Sequence, residues 1–153
     1  MPTTTTDLYR AVMGNAFKSI KKGVYPGDGV LDPRWYDTQR WVKKSNSWKT
    51  DFADVDVVAG PGGPEVQTGG GTSLHDVSGW YLGKEFWIPV GTDYADEIFI
   101  RKDKKAKIST QTQVKGTHYQ LEPRTQMTLL SFKGHLDNMA RAAVVRQCAL
   151  AKI

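Results

Sequence analysis

The side chains of this sequence able to ligate a soft metal are His75, His118, His135 and Cys148. No two of them stand at CxxC, HxxxH or HExxH spacing, so a structural zinc site is not expected and no metal is assigned. Cys148 stands late in a helical pattern beside apolar residues and reads as a packing residue rather than a nucleophile. His135 reads as a helix-surface residue. The run Gly71-Thr72-Ser73-Leu74-His75 is not the GxSxG of a hydrolase elbow. It also lacks the lysine of a P-loop and the βαβ surroundings of a dinucleotide fingerprint. What remains is a glycine-rich turn that delivers two adjacent hydroxyls, Thr72 and Ser73. Such hydroxyls can hold an amide or orient a carboxylate; the same residues also fit an ST-turn or a helix N-cap with no chemistry. Arg10 interrupts the apolar run Leu8-Tyr9-Arg10-Ala11-Val12. Arginine grips phosphate with two parallel donors, although a solvent-facing arginine on the alternate strand face fits the local pattern as well.

These residues need elements to hold them. Asp7–Met13 reads as a short strand. Asn15–Lys22 and Pro33–Lys44 read as amphipathic helices or turns; in the second, Trp35, Tyr36, Gln39, Arg40 and Lys43 fall at helical spacing behind Pro33. Phe52–Ala59 alternates like a strand. Eight of the 15 glycines fall between Gly60 and Gly83, and the stretch AGPGGPEVQTGGGTS predicts a long irregular connection inside one domain. Further strands are predicted at Trp80–Leu82, Glu85–Val90, Glu97–Lys102 and His118–Glu122, with Phe86, Ile88, Phe99, Tyr119 and Leu121 pointing inward. From about Thr128 to Ala149 a helical stripe runs through Leu129, Phe132, Leu136, Met139, Ala140, Ala143 and Leu150, with Gln147 near its middle and Cys148 on its flank. Strands clustered late with a helix packed on them predict an α+β fold.

A chain of 153 residues is long enough for one domain with its own core. One cysteine excludes an intramolecular disulfide, and no apolar run approaches the roughly 20 residues of a membrane span. The N-terminus MPTTTTDLYRAV has neither the basic stretch nor the apolar core of a secretory signal, so export would need other machinery. The net charge of +5 is uneven: residues 1–76 carry 9 basic and 9 acidic side chains, and residues 77–153 carry 12 and 7. Arg101 to Lys107 alone holds five bases and one acid. This run is either a solvated lysine-rich hairpin tip or a surface for an anionic ligand, a nucleic acid or an acidic protein.

The segments LYRAV (8–12), DVVAG (56–60), GGTS (70–73), IPVGTD (88–93), GTHYQLEP (116–123) and GHLDNMARAAVVRQ (134–147) together resemble one family. It is the exported toxin family of type VI secretion that stands second in its naming series, with a fold similar to mono-ADP-ribosyltransferases. The resemblance runs from about Asp54 to Gln147, with an anchor at Leu8–Val12. It implies one domain over residues 1–153, built on a strongly curved antiparallel sheet with flanking helices and a C-terminal helix. It also implies a cytotoxin that acts in the cytoplasm of the target cell, uses NAD, transfers ADP-ribose to an intracellular target and is neutralised by a small cognate immunity protein. An acidic immunity protein covering an Arg10/Ser73 cleft would suit the basic second half.

The resemblance gives the isolated residues roles. Arg10 stands where these enzymes place a first-strand arginine, and Thr72-Ser73 resembles their Ser-Thr-Ser triplet, with the Thr-Ser pair implied to be needed for toxicity. Gln120-Leu121-Glu122 resembles their late Gln/Glu-x-Glu, whose first and third residues share one strand face. Thr72, Ser73 and Glu122 are then the catalytic set, and Arg10, Tyr9, Thr72, Ser73, His118 and Gln120 bind NAD. Cleaving the nicotinamide–ribose bond passes through an oxocarbenium-like state, which a carboxylate near the ribose stabilises. Glu122 would be that carboxylate; otherwise it is an edge-strand acid. Tyr9, Tyr94 or Tyr119 would stack on nicotinamide. Three alternatives stay open: an NAD glycohydrolase of the same fold, a transferase that removes phosphate from RNA, and a non-enzymatic nucleic-acid-binding protein using Arg101 to Lys107 with Trp41 and Trp48 as stacking platforms.

Overall fold

A computed structural model describes residues 1–12, 25–81 and 85–151. Its centre is a five-stranded antiparallel sheet of β1 (Leu8–Ala11), β6 (Thr72–His75), β7 (Glu85–Ile88), β8 (Ile98–Lys102) and β11 (His118–Pro123), in the order β7-β1-β6-β11-β8. Because side chains alternate along a strand, the register divides the sheet into two faces. Leu8, Phe86, Ile88, Leu74, Leu121 and Ile98 share the inner face and are buried. Against them packs the C-terminal helix α1 (Leu129–Ala151) through Phe132, Leu136, Met139, Ala140 and Ala143. The α+β class therefore holds, with mostly antiparallel pairing and one described helix.

The helix is fixed at several points. The Thr128 Oγ1 accepts from the Ser131 N–H at 3.1 Å, as an N-cap hydroxyl does. Asp137 accepts from the Gly29 N–H at 2.8 Å, and Lys133 pairs with Asp32 at 2.6 Å. Gln147, the polar residue in the stripe, donates to the Trp87 carbonyl at 2.5 Å and ties α1 to β7. Leu129 and Leu150 are half-buried at the ends of the stripe. Cys148 is exposed and is not a packing residue, because its place on the stripe's flank turns it past the sheet.

Elsewhere the pairing overrides the local pattern. Pro33–Lys44 is not a helix: β2 (Thr38–Val42) forms a hairpin with β3 (Ser47–Asp51), turning through Asn46 at φ 49°. Trp41 lies opposite Trp48, edge to face at 5.5 Å between ring centroids, and Arg40 pairs with Asp51. Those cross-strand contacts outweigh a helical spacing made largely of polar residues. Phe52 to Asp56 form a loop held by Asp37, which accepts from the Ala53 N–H, and by the Arg34 carbonyl; the strand β4 starts only at Val57. The glycine-rich stretch is an irregular connection only over residues 67–71. β4 (Val57–Gly60) and β5 (Gly63–Val66) pair as a hairpin, with Gly63 at φ 111° in a conformation that costs other residues strain, and β12 (Met127–Thr128) adds to β5.

Trp80 and Tyr81 lie in a bend rather than a strand, and Leu82 lies outside the described residues, as does the segment 15–22. Phe99 points outward, 40% exposed under the Arg124 guanidinium, because its neighbours Ile98 and Ile100 take the inner face. Tyr119 is on the inner face but only half-buried. Finally, β9 (Lys107–Ile108) pairs with β10 (Lys115–Gly116), so Arg101 to Lys107 runs from β8 into a separate hairpin and is not a hairpin tip itself.

Candidate functional site

The outer face of the central sheet carries the polar side chains. One cross-strand row contains Trp87, Tyr9, His75 and His118, since Tyr9 pairs with both Trp87 and His75, and His75 with His118. The next row contains Ser73, Gln120 and Arg101, and Glu122 follows beside it. Diagonal neighbours on a sheet face are within reach of long side chains, and here they join into one chain of hydrogen bonds. The Ser73 Oγ lies 2.6 Å from His118 Nε2, and His118 Nδ1 lies 3.0 Å from Asp103 Oδ2. Arg101 donates to Asp103 at 3.2 Å and to Glu122 at 2.5 Å, and the Gln120 amide donates to Glu122 at 2.9 Å. A carboxylate can only accept, so a neutral His118 carries its proton on Nδ1 and presents the Nε2 lone pair to the Ser73 hydroxyl.

The structure therefore brings Ser73, His118, Gln120 and Glu122 together and leaves Tyr9 on the same face. It separates the others. Thr72 is fully buried, and its hydroxyl donates to the Leu31 carbonyl at 2.5 Å; strand alternation turns it into the core, so it supports the fold and is not positioned as a catalytic group. Arg10 leaves its strand on the side of Leu8, not of Ser73's hydroxyl. Its guanidinium donates to the Ser73 carbonyl at 3.1 Å and the Asp32 carbonyl at 2.9 Å. Burial pushes its pKa below the ordinary arginine value. It is neither a surface arginine nor an open phosphate grip; it locks the backbone of β6 against the Asp32 loop. Tyr94 and Tyr119 line a pocket with Thr4 and Lys102 beyond the inner face, which removes both from any ring-stacking role beside Ser73. Tyr9 borders a surface depression with Trp87, Ser78 and Glu85.

Sequence reasoning gave Asp103 and Tyr81 no site role, weighed His75 only as a metal ligand and read Arg101 only as part of the basic run. The one available signal was Asp103, the lone acid among five bases. His75 stacks on Trp80 at 3.9 Å and faces Tyr81, whose hydroxyl lies 2.8 Å from Nδ1. Burial, with the neighbouring His118, pushes the His75 pKa from 6.5 down to about 4, and burial pushes Tyr81 up to about 12. Both are thus neutral in the folded protein near neutrality. An unfolded His75 binds a proton at higher pH than the folded one, so its contribution to stability is present above about 6.5 and is lost as pH falls toward about 4. We expect this to be worth about 3 kcal/mol. Urea unfolding of the wild type and His75→Gln should show their stability gap shrinking by that amount between about pH 7 and pH 4; a constant gap would refute the assignment.

Among the described residues, no three His, Cys, Asp or Glu side chains converge as metal ligands, and no helix is long and apolar enough to cross a membrane. His135 faces Glu97 at 3.6 Å on the helix surface.

Comparison with known proteins adds a family to this geometry. A family model described as Tse2 ADP-ribosyltransferase toxin matches residues 6–148. The chain is also similar to Toxin Tse2 of Pseudomonas aeruginosa, at 34% identity over 94 residues, which is 60% of this chain and 56% of that protein. The alignment thus spans little more than half the length of this relative.

Proposed function

The chain belongs to the Tse2 ADP-ribosyltransferase toxin family, and from that premise we propose that it is an NAD-dependent cytotoxin that transfers ADP-ribose to a macromolecule inside the target cell. Residues 1–153 act as one ADP-ribosyltransferase-like domain, its central sheet curved around the NAD site. The observation that carries this reading is the hydrogen-bonded set Ser73–His118–Asp103–Arg101–Glu122–Gln120 on one sheet face. Glu122 supplies the negative charge that an oxocarbenium-like ribose needs, and Gln120 and Arg101 hold its carboxylate in one orientation. Tyr9 and Trp87 offer flat surfaces for nicotinamide. Arg10 contributes by fixing the Ser73 backbone and not by touching phosphate. The protein acts in the cytoplasm of the target cell, reaches it through dedicated export machinery, and is restrained in the producing cell by an acidic immunity protein that covers the Ser73 face.

The test is expression of wild type and Ser73→Ala under tight repression in a bacterial or yeast host, with growth and NAD followed after induction. Wild type should arrest growth and Ser73→Ala should not. Equal arrest by both would refute the site. Radiolabelled NAD then separates outcomes: label retained on a macromolecule supports transfer, whereas free ADP-ribose alone would replace it with hydrolysis.

A further inference from the structure

Neither strand of the β2–β3 hairpin pairs with any other described strand. A two-stranded ribbon is marginally stable alone in water, yet this one turns its largest apolar side chains outward. Trp41 is 47% exposed and Trp48 65%, and the root of the hairpin adds exposed Tyr36 and Phe52. Alternation puts Gln39, Trp41, Trp48 and Thr50 on one face. The two indoles meet edge to face at 5.5 Å, so each fixes the other while flat ring surface stays open to solvent. Around them, residues 38–51 hold four bases and one acid. Arg40 is paired with Asp51, but among the described residues the exposed Lys43, Lys44 and Lys49 form no ion pair. The root is tied to the candidate site. Arg34 donates to the Phe52 carbonyl and, from its backbone N–H, to the Asp54 carboxylate; the Asp54 carbonyl accepts from the Gly71 N–H at 3.0 Å, immediately before β6. At the opposite end of β11, the Asp103 N–H donates to the His118 carbonyl, where the second basic run leaves β8.

Resting on the reading of a macromolecular target above, we propose that the β2–β3 hairpin docks that target and that the target is RNA, held as an unpaired strand. Unpaired bases stack on open indoles whatever their sequence, while lysines follow the phosphates. RNA presents such bases in its loops, bulges and ends. A lipid surface fits less well: the indoles share their face with Gln39 and Thr50, hydrogen-bonded to each other at 2.8 Å, and lack the continuous apolar face that interfacial elements bury. A protein fits less well because lysine is depleted where proteins pack on one another. Beside the root, a surface groove of about 480 Å³ is lined by Tyr36, Ala53, Val57, Gln67 and the acids Asp37 and Asp56. Its carboxylates repel phosphate and accept from the amino group of a base, so the groove suits a splayed base and the lysines suit the backbone.

The experiment titrates the full chain, without NAD, into a short labelled RNA free of base pairing and follows fluorescence anisotropy. Binding is expected, and its logarithm should fall with the logarithm of salt by about 0.7 per phosphate contact. Trp48→Ala should weaken it about 5–100-fold with that slope unchanged, and Trp48→Phe should restore most of the loss. Lys43→Gln combined with Lys44→Gln should instead flatten the slope by about 1.4. Both lysines are exposed, so this variant keeps the test alive if Trp48→Ala fails to fold. Equal binding of the same RNA in a duplex would show charge alone and overturn the docking surface. So would tighter capture of the matching DNA strand, of polyglutamate or of phosphatidylglycerol vesicles. A wild type that releases nicotinamide but holds RNA no better than a folded Trp48→Ala would sink the docking and keep the NAD reading. One that holds RNA as expected yet releases no nicotinamide would do the reverse.

Discussion

Gly71→Ala is expected to cost more than about 4 kcal/mol and to leave little folded protein at growth temperature. A methyl group at this position would meet the Leu121 carbonyl oxygen at 1.7 Å, its carbon at 2.7 Å and the Glu122 Cα at 3.2 Å. All three are backbone atoms, so no side chain can swing aside. Nor can the backbone retreat: Leu121 pairs with Thr72 on one side and Ile100 on the other, and the Gly71 N–H donates to the Asp54 carbonyl at 3.0 Å. Relief requires opening the β6–β11 ladder, which also holds Ser73 beside Gln120. In a domain of this size each kcal/mol shifts the melting point by roughly 2–4 °C, so the loss should exceed about 10 °C by calorimetry or circular dichroism. A variant melting within about 2 °C of wild type would show that the sheet can adjust.

This close approach explains why part of the molecule was legible in the sequence and part was not. The late strands and the C-terminal helix carried their own signals, because one face of each is buried and the periodicity of Phe86 and Ile88, or of Phe132, Leu136 and Met139, records that burial. The hairpin of β2 and β3 carried none: its strands bury little, and its order comes from Trp41 meeting Trp48 across the turn, a contact between residues that no helical or alternating window links. The glycine stretch misled for a related reason. Gly63 and Gly71 are required by a turn and by a strand crossing a carbonyl, while composition alone reads them as slack.

At the site, types were easier to find than partners. Ser73, Gln120 and Glu122 were recognisable from motif order, and strand alternation correctly put the last two on one face. That same alternation separates Thr72 from Ser73; the resemblance of the pair to a Ser-Thr-Ser triplet is what kept both in the catalytic set. Asp103 was invisible because the sheet order β6-β11-β8 brings it next to His118 from across a strand pair, and local sequence presents it only as an interruption in a lysine run.

Glu122 and Arg101 should respond oppositely to removal, and this asymmetry separates chemistry from structure. The Glu122 side chain is 6% exposed, whereas Arg101 is 43% exposed. Neutralising the acid in Glu122→Gln keeps the shape and frees an arginine that can turn to water and to Asp103, so stability should change by less than about 1 kcal/mol. NAD turnover, in contrast, loses the charge that faces the oxocarbenium-like ribose and should drop about 10²–10³-fold. Arg101→Ala instead leaves an almost buried carboxylate with the Gln120 amide as its remaining donor. Stranding a charge is the expensive half of breaking an ion pair, and because this pair is half-open to solvent we expect about 2 kcal/mol rather than roughly 3–5 for an enclosed one. Measuring urea midpoints and nicotinamide release on both variants decides the matter: equal destabilisation with equal loss of turnover would make the pair structural, whereas a stable, inactive Glu122→Gln beside a weakened Arg101→Ala places the carboxylate at the reaction.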